Sequence, residues 1–226
     1  ETGRLKLATR GVYAVVQPGT SADRFRPDPI LVAAAARPHG IFSHHSALEL
    51  LGAAHSAWNH CTLYTEQRRR PLVLDGSTIR FLDHPRPLRT DRRRHLGTRR
   101  IERRGSLLEA TGPERTLVEG FRKPALTGGL EELVRSASGF ATLDLDLLKE
   151  ILRRYGVANL WAATGWFLER FQRSFHVPAS LLSRMEQNRP RSPQYLERNR
   201  RGGTLAPRWN LILPQILVQP GEVDEP

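Results

Sequence analysis

The sequence predicts an α+β fold in which a small mixed α/β region with a basic sheet precedes a helical bundle. From His60 to Thr111, short apolar runs are separated by basic or proline-containing turns, which is typical of strands. From Gly112 onward, apolar residues recur at three- and four-residue spacing, which is the period of a helix. The chain has 226 residues, of which 39% are hydrophobic, so it can build a real core.

Two elements are expected before the sheet. Residues 4–16 alternate and then become β-branched around Gly11, which predicts a short hairpin. Asp28 followed by Pro29 is a helix start signal, because the aspartate can cap the helix and proline suits its first position. We therefore predict a buried helix over the apolar run that follows Pro29.

Adjacent histidines open the next segment, residues 43–51, which we predict to be a helix. Ser43 is a plausible N-cap, and Gly52 suits the C-terminal end. This assignment puts His44 and His45 in the exposed first turn. Neighbouring residues on a helix point about 100° apart, so the pair is poorly placed to share one metal ion.

The remaining elements follow from the same two periods. The predicted strands cover 61–66, 71–74, 77–82, 98–103 and 106–110, and the predicted helices cover 112–122, 128–138, 143–154, 157–173 and 178–187. A short apolar strand or helix at residues 207–217 is expected to pack back onto the bundle. The predicted organisation is a wing and connector at 1–26, an α/β region at 27–111, a helical domain at 112–218 and a disordered tail at 219–226.

The environment of the chain is predicted to be the reducing cytoplasm. No window approaches 18 consecutive apolar residues, which disfavours a membrane span, and the first residues lack the order of a signal peptide. Cys61 is the only cysteine, so the chain has no internal disulfide. The first residue is not methionine, and we expect the chain to be a processed or cut piece of a longer protein.

Positive charge is concentrated in two windows. Residues 61–110 contain thirteen arginines and six acids, and residues 184–208 contain seven arginines and two acids, which together account for the net charge of +12. Arginines gain affinity for polyanions by releasing counterions from phosphates. A nucleic acid is therefore the favoured partner, with a merely solvated surface as the alternative.

Catalytic patterns are not found, so we predict a non-enzymatic protein without metal or cofactor. The sequence contains no acid-x-lysine triplet of the restriction-nuclease type, and no phosphate-binding or dinucleotide loop. His60 and Cys61 are adjacent on a predicted strand and face opposite sides, so His60 is poorly placed to activate the thiol.

Residues 111–124 predict a well-formed amphipathic helix. Thr111 and Glu114 match a capping box, and Leu117 belongs to a stripe that faces inward. The expected polar side carries Arg115 and Arg122.

Four stretches together resemble the AbiEi family of antitoxins and transcriptional regulators of type IV toxin–antitoxin systems. They are RGVYAVV at 10–16, SHHSALELLG at 43–52, GPERTLVEGFRKPALTGGLEEL at 112–133, and the region from LWAATGWFLER to RWNLIL at 160–213. The first is similar to the wing and exit strand of the family's N-terminal winged helix. The resemblance spans nearly the whole chain.

The resemblance implies a protein that binds operator repeats in its own promoter, represses the operon and counteracts a nucleotidyltransferase-like toxin. Only ten residues precede Gly11, so we expect the helix-turn-helix that reads the major groove in this family to be absent or cut away from this chain. We expect the chain to be a monomer or a weak dimer that does not enter a membrane.

Thirteen basic residues are the predicted DNA-contacting set, on a basic face of the sheet and on the wing. They are Arg4, Lys6, Arg10, Arg68, Arg69, Arg70, Arg92, Arg93, Arg94, Arg99, Arg100, Arg103 and Arg104. Phosphate contacts by such residues set affinity and register without reading sequence. The alternatives are a protein-interaction module that binds a toxin or a second copy, and a nuclease.

Overall fold

The computed structural model describes residues 5–16, 18–21, 23–67, 69–197 and 202–218, and it confirms the α+β class. The chain divides into two compact units, residues 1–112 and 113–226. The first unit contains strands β1 (Leu5–Thr9), β2 (Val12–Val15), β3 (Ile41–Phe42), β4 (His60–Thr65), β5 (Leu72–Leu74), β6 (Ser77–Asp83), β7 (Thr98–Arg103) and β8 (Ser106–Thr111), with helices α1 (Pro29–Ala36), α2 (His45–Leu50) and α3 (Asp91–Arg94).

The second unit contains helices α4 (Pro113–Arg122), α5 (Leu130–Ser138), α6 (Leu145–Tyr155), α7 (Ala158–Arg170), α8 (Ala179–Glu186) and α9 (Gln215–Val218). Its strands are β9 (Gln194–Tyr195), β10 (Thr204–Ala206) and β11 (Leu211–Leu213), in the order β10-β11-β9. The predicted hairpin, the five predicted strands and the five predicted helices are confirmed to within a few residues. The tail at 219–226 lies outside the described residues.

The sheet of the first unit has six strands in the order β5-β6-β4-β3-β8-β7. The pairs β4–β6 and β3–β8 are parallel, and the remaining pairs are antiparallel. Strand β3 has only two residues and was not predicted, because so short a run gives no alternating pattern. It joins two hairpins into one sheet and leaves β5 and β7 as the edges.

Helix α1 begins as predicted. The Asp28 carboxylate accepts a hydrogen bond from the Ile30 N–H at 2.9 Å, and Pro29 occupies the first helical position. The buried residues Ile30 and Ala33 pack in a core with Leu63 of β4 and other apolar side chains of the sheet. This core holds α1 against the sheet.

Helix α2 differs from the prediction. Its N-cap is His44 rather than Ser43, and no side chain caps it. His44 is 0% exposed and His45 is 1% exposed, so the expectation that they lie in water is wrong. The cause is tertiary: the Thr62 hydroxyl donates to the Ser43 carbonyl at 2.6 Å, and the Thr62 N–H donates to the Ser46 hydroxyl at 2.8 Å. These bonds pull the start of the helix onto β4.

Helix α4 is the centre of the second unit. Every residue from Pro113 to Phe121 is buried. Trp209, which follows β10, packs very close to the backbone of α7. A Cβ on Gly165 would lie 2.1 Å from the Trp209 ring. Glycine at that position therefore lets the Trp209 ring pack against α7.

Within the residues that the structure describes, no helix combines the length and apolarity needed to cross a membrane.

Candidate nucleic-acid interface

Strand β7 forms one edge of the six-stranded sheet and carries arginines on both sides. Ile101 packs against the core, so Arg99 and Arg103, two residues away on either side, share its face. Arg100 points to the opposite side and is paired in register with Glu109 of β8. The predicted single basic face of the sheet is therefore wrong, because alternation along the strand divides the arginines between two faces.

Five arginines at this edge are exposed, namely Arg99 and four others. Of these four, Arg92 and Arg93 lie on α3, Arg100 lies on β7, and Arg104 lies in the turn after β7. The side chains of these four make no hydrogen bond, ion pair or ring contact with another described residue, whereas Arg99 is engaged. We call this set of four the basic edge. Its guanidinium groups face solvent and are available to an anionic partner.

Arg103 has a structural role instead. Its Nε donates to the Asp28 carboxylate at 2.8 Å, and its Nη2 donates to Glu49 at 2.9 Å. Partial burial lowers the pKa of Arg103, but the bonds and charges of Asp28 and Glu49 outweigh that effect and raise it overall. Arg103 therefore ties the end of β7 to the start of α1 and the end of α2.

Arg94 is also engaged by acids. It forms ion pairs with Glu66 and, at 3.6 Å, with Asp91. The neighbouring His95 ring lies 2.6 Å from the Glu109 carboxylate through Nδ1. Arg94 thus fixes α3 to the end of β4 while its neighbours Arg92 and Arg93 point outward.

The other predicted residues are not part of the basic edge. Lys6 donates to the Asp75 carboxylate at 3.0 Å, and this hydrogen bond lowers the pKa of Asp75. Arg10 lies in the β1–β2 turn, and Arg69 and Arg70 precede β5, the edge strand opposite β7. Arg4 and Arg68 lie outside the described residues. The eleven predicted positions that the structure describes therefore do not form one surface.

A cleft of about 290 Å³ lies beside the basic edge. It is lined by residues of the β5–β6 turn, the start of α1 and the β7–β8 turn, namely Arg26, Pro27, Asp28, Pro29, Leu74, Asp75, Ser77, Arg103 and Arg104. Arg26 was missed by sequence reasoning. A basic residue just before a helix cap is the signal that could have indicated it.

Aromatic rings surround the buried histidines. His44 lies 5.8 Å from the Tyr64 ring, and Tyr64 stacks on His84 at 5.4 Å. His45 lies 5.0 Å from the Trp58 ring. Among the described residues, no group of three or more His, Cys, Asp or Glu side chains is arranged to hold a metal ion. This cluster is packing inside the first unit.

Cys61 is buried beside this cluster. Burial raises the pKa of its thiol to about 12, so the thiol stays protonated at neutral pH. A protonated thiol is a poor nucleophile, so nothing at Cys61 favours covalent catalysis.

Two arginines of the second basic window, Arg189 and Arg208, form ion pairs within the fold. Arg208 donates to Glu169 at 2.6 Å and to Glu186 at 3.0 Å, and Arg189 pairs with Glu186 at 3.0 Å. Glu169 also accepts a bond from the Trp209 indole N–H at 2.6 Å. The charge of this window is therefore partly neutralised by acids in α7 and α8.

Helix α4 contains a fully buried ion pair. The Arg115 Nε donates to Glu119 at 2.8 Å, and the Tyr155 hydroxyl donates to the same carboxylate oxygen at 2.6 Å. Burial and the adjacent carboxylate raise the pKa of Tyr155 far above its ordinary value. The expected exposure of Arg115 is wrong, because this network draws its side chain into the core. Arg122 is exposed as predicted.

Comparison with solved structures shows a likeness in fold. No family model matches the chain, and no curated protein matches it. The chain is similar in structure to the RV2827C protein from Mycobacterium tuberculosis, with a TM-score of 0.62 and 19% sequence identity, over 95% of this chain and 77% of that one. At this identity, the likeness bears on the fold alone.

Proposed function

We propose that this chain is a DNA-binding antitoxin and transcriptional autorepressor of the AbiEi kind. The observation that carries the proposal is the basic edge, where four exposed arginines have no acidic partner among the described residues. From the sequence resemblance to the AbiEi family, we also expect the chain to bind an operator, to repress its own operon and to counteract a toxin.

Physical chemistry favours DNA as the partner of this edge. Strand β7 rises about 3.3 Å per residue, so Arg100 lies roughly 10 Å from the end of the strand at Arg103, and Arg104 follows in the turn. The exposed Glu102 lies between Arg100 and Arg104, so the two arginines are separate contacts for phosphates. Each phosphate contact adds affinity by releasing counterions from the DNA. Such contacts supply affinity and register, whereas sequence reading needs base contacts.

The test measures binding of the chain to a labelled duplex from its own promoter and to an unrelated duplex of equal length. The edge variant replaces Arg92, Arg93, Arg100 and Arg104 with glutamine. We expect it to lose at least tenfold in affinity for both duplexes, because each lost phosphate contact removes counterion release.

A matched control removes the same charge elsewhere. It replaces the exposed arginines Arg153, Arg173, Arg184 and Arg191 of the second unit with glutamine. We expect this control to bind nearly as well as the original chain. Equal losses in both variants would show that net charge alone drives binding, and that result would contradict a defined interface.

The antitoxin role has its own test. Co-expression of the chain with a nucleotidyltransferase-like protein encoded beside its gene should restore growth that the toxin alone arrests. Restoration by the edge variant would assign neutralisation to a surface other than the DNA-binding one. Failure of the original chain to restore growth would contradict the antitoxin role.

A protein-interaction module is the second candidate, and the β1–β2 hairpin favours it. One face of the hairpin carries Leu5, Leu7, Tyr13 and Val15, which are 61%, 59%, 60% and 70% exposed and paired across the strands. Exposed apolar patches of this kind mark protein contacts. A stable complex with a co-expressed protein in the absence of nucleic acid, lost on Leu7→Glu, would support this candidate.

A further inference from the structure

The turn between β7 and β8 contains an arginine, Arg104, at a position with positive φ. Arg103 pairs with Ser106, so the connection is a two-residue turn made of Arg104 and Gly105. Both residues have positive φ, 49° and 79°, which is the conformation of a type I′ turn. An arginine in this left-handed region is disfavoured, because its Cβ crowds the backbone.

The same unit shows what this turn ordinarily contains. The β5–β6 connection is also a two-residue turn with positive φ at both positions, and its residues are Asp75 and Gly76. Aspartate or asparagine before glycine is the favoured sequence for this turn. The β1–β2 turn contains Arg10 and Gly11, but only Gly11 has positive φ. Arg104 is thus held in a conformation that the chain avoids for Arg10.

The turn is fixed at three points. The Gly105 N–H donates to the Glu102 carboxylate at 2.6 Å, and Arg103 is bound by Asp28 and by Glu49. The Arg104 side chain itself is exposed and has no hydrogen bond or ion pair with a described residue. The structure therefore holds one free guanidinium at the tip of a rigid hairpin.

We infer that Arg104 enters the minor groove of A·T-rich DNA, an inference that rests on the proposed function. A phosphate contact tolerates a flexible side chain, because charge attraction is weakly directional. Entry into a groove about 6 Å wide requires a fixed direction of approach, which the anchored hairpin supplies. Narrow A·T tracts have enhanced negative potential that attracts inserted arginines. The hairpin tip thus reads groove width, while the rest of the basic edge contacts phosphates.

The experiment uses the chain with three duplexes of equal length. Two are DNA with a central A·T tract or a central G·C tract, and the third is RNA with the A·U version of the first. The key variant is Arg104→Asn, because asparagine favours this turn and the hairpin keeps its fold. The matched control is Arg93→Gln, which removes one charge from the same edge away from the tip.

The original chain should prefer the A·T duplex by roughly tenfold, the effect of one specific contact. Arg104→Asn should reduce this ratio to about one. Arg93→Gln should weaken binding to both DNA duplexes equally and keep the ratio. The RNA duplex should show no special effect of Arg104→Asn, because its minor groove is wide and shallow.

Three results would overturn the inference. First, the original chain could bind both DNA duplexes equally while the edge variant loses affinity. That result would exclude reading of the groove by Arg104, and the proposed function would remain supported. An equal effect of Arg104→Asn on DNA and RNA would identify a phosphate contact instead. Binding to none of the duplexes would refute the inference and the proposed function together.

Discussion

The two basic windows of the chain can be compared by what their arginines contact. In residues 61–110, Arg92, Arg93, Arg100 and Arg104 are exposed and have no acidic partner among the described residues. In residues 184–208, Arg189 and Arg208 are held by acids of α7 and α8, while Arg184 and Arg191 are exposed. The comparison teaches that a run of arginines in the sequence becomes a binding surface only where the fold leaves their charges unpaired.

Arg115 forms a fully buried ion pair with Glu119. Breaking this pair should have the largest effect on stability. Glu119→Leu leaves a buried guanidinium without this carboxylate, so we expect a loss of about 3–5 kcal/mol in the free energy of unfolding. Chemical denaturation followed by circular dichroism measures it. Adding Arg115→Met should recover much of the loss, and a loss below about 1 kcal/mol would show that the pair is not structural.

Within the first window, Arg103 and Arg100 differ in the same way, since Arg103 is paired with acids and Arg100 is not. Arg103→Gln removes two ion pairs that hold β7, and we expect a loss of about 1–2 kcal/mol in the free energy of unfolding. Arg100→Gln, three residues away and unpaired, should change it by less than about 0.5 kcal/mol. Equal stabilities of the two variants would mean that Arg103 is no more structural than Arg100.

Charged arginines are exposed at the basic edge of the first unit, whereas the buried Cys61 thiol is kept uncharged. The pH dependence of stability tests this difference. Its pKa is raised to about 12, so the unfolded chain ionises first as pH rises. The thiol's contribution to stability is complete below its ordinary pKa of about 9 and is lost as pH rises toward 12.

We therefore expect the chain to lose about 1 kcal/mol more than Cys61→Ala between pH 8 and pH 10. Denaturant titrations at the two pH values measure the difference, and the alanine variant subtracts the titration of other groups. Parallel pH profiles would mean that Cys61 is not shielded from solvent.

Substitution of Arg104 should change stability in the opposite direction. Arg104→Asn relieves an unfavourable backbone conformation, so the free energy of unfolding should rise by up to about 1 kcal/mol. Thermal unfolding checks this expectation. A decrease would indicate that the Arg104 side chain stabilises the fold.

Elements encoded by neighbouring residues could be predicted from the sequence. Asp28 and Pro29 specify the start of α1 locally, and the alternation before and after Gly105 specifies β7 and β8. Helix α2 could not be predicted correctly, because its start is set by Thr62, which is 19 residues from Ser43. The burial of His44 and His45 follows from that distant contact.

The candidate site was predictable only as a set of positions. Arg100 and Arg103 look alike in the sequence, yet only Arg103 meets carboxylates, at Asp28 and at Glu49, which is 54 residues away. Pairing of this kind depends on tertiary structure, so no local pattern separates a structural arginine from one that is free to bind. The strain at Arg104 likewise becomes visible only when its φ is known.

The dependence of DNA affinity on salt tests the central claim most directly. For each phosphate contact, the logarithm of the association constant falls by about 0.9 per decade of salt concentration. We predict that the edge variant lacking Arg92, Arg93, Arg100 and Arg104 has a slope shallower by about 3 to 4 than the original chain, while the control variant keeps the original slope. Identical slopes for the original chain and the edge variant would contradict the account.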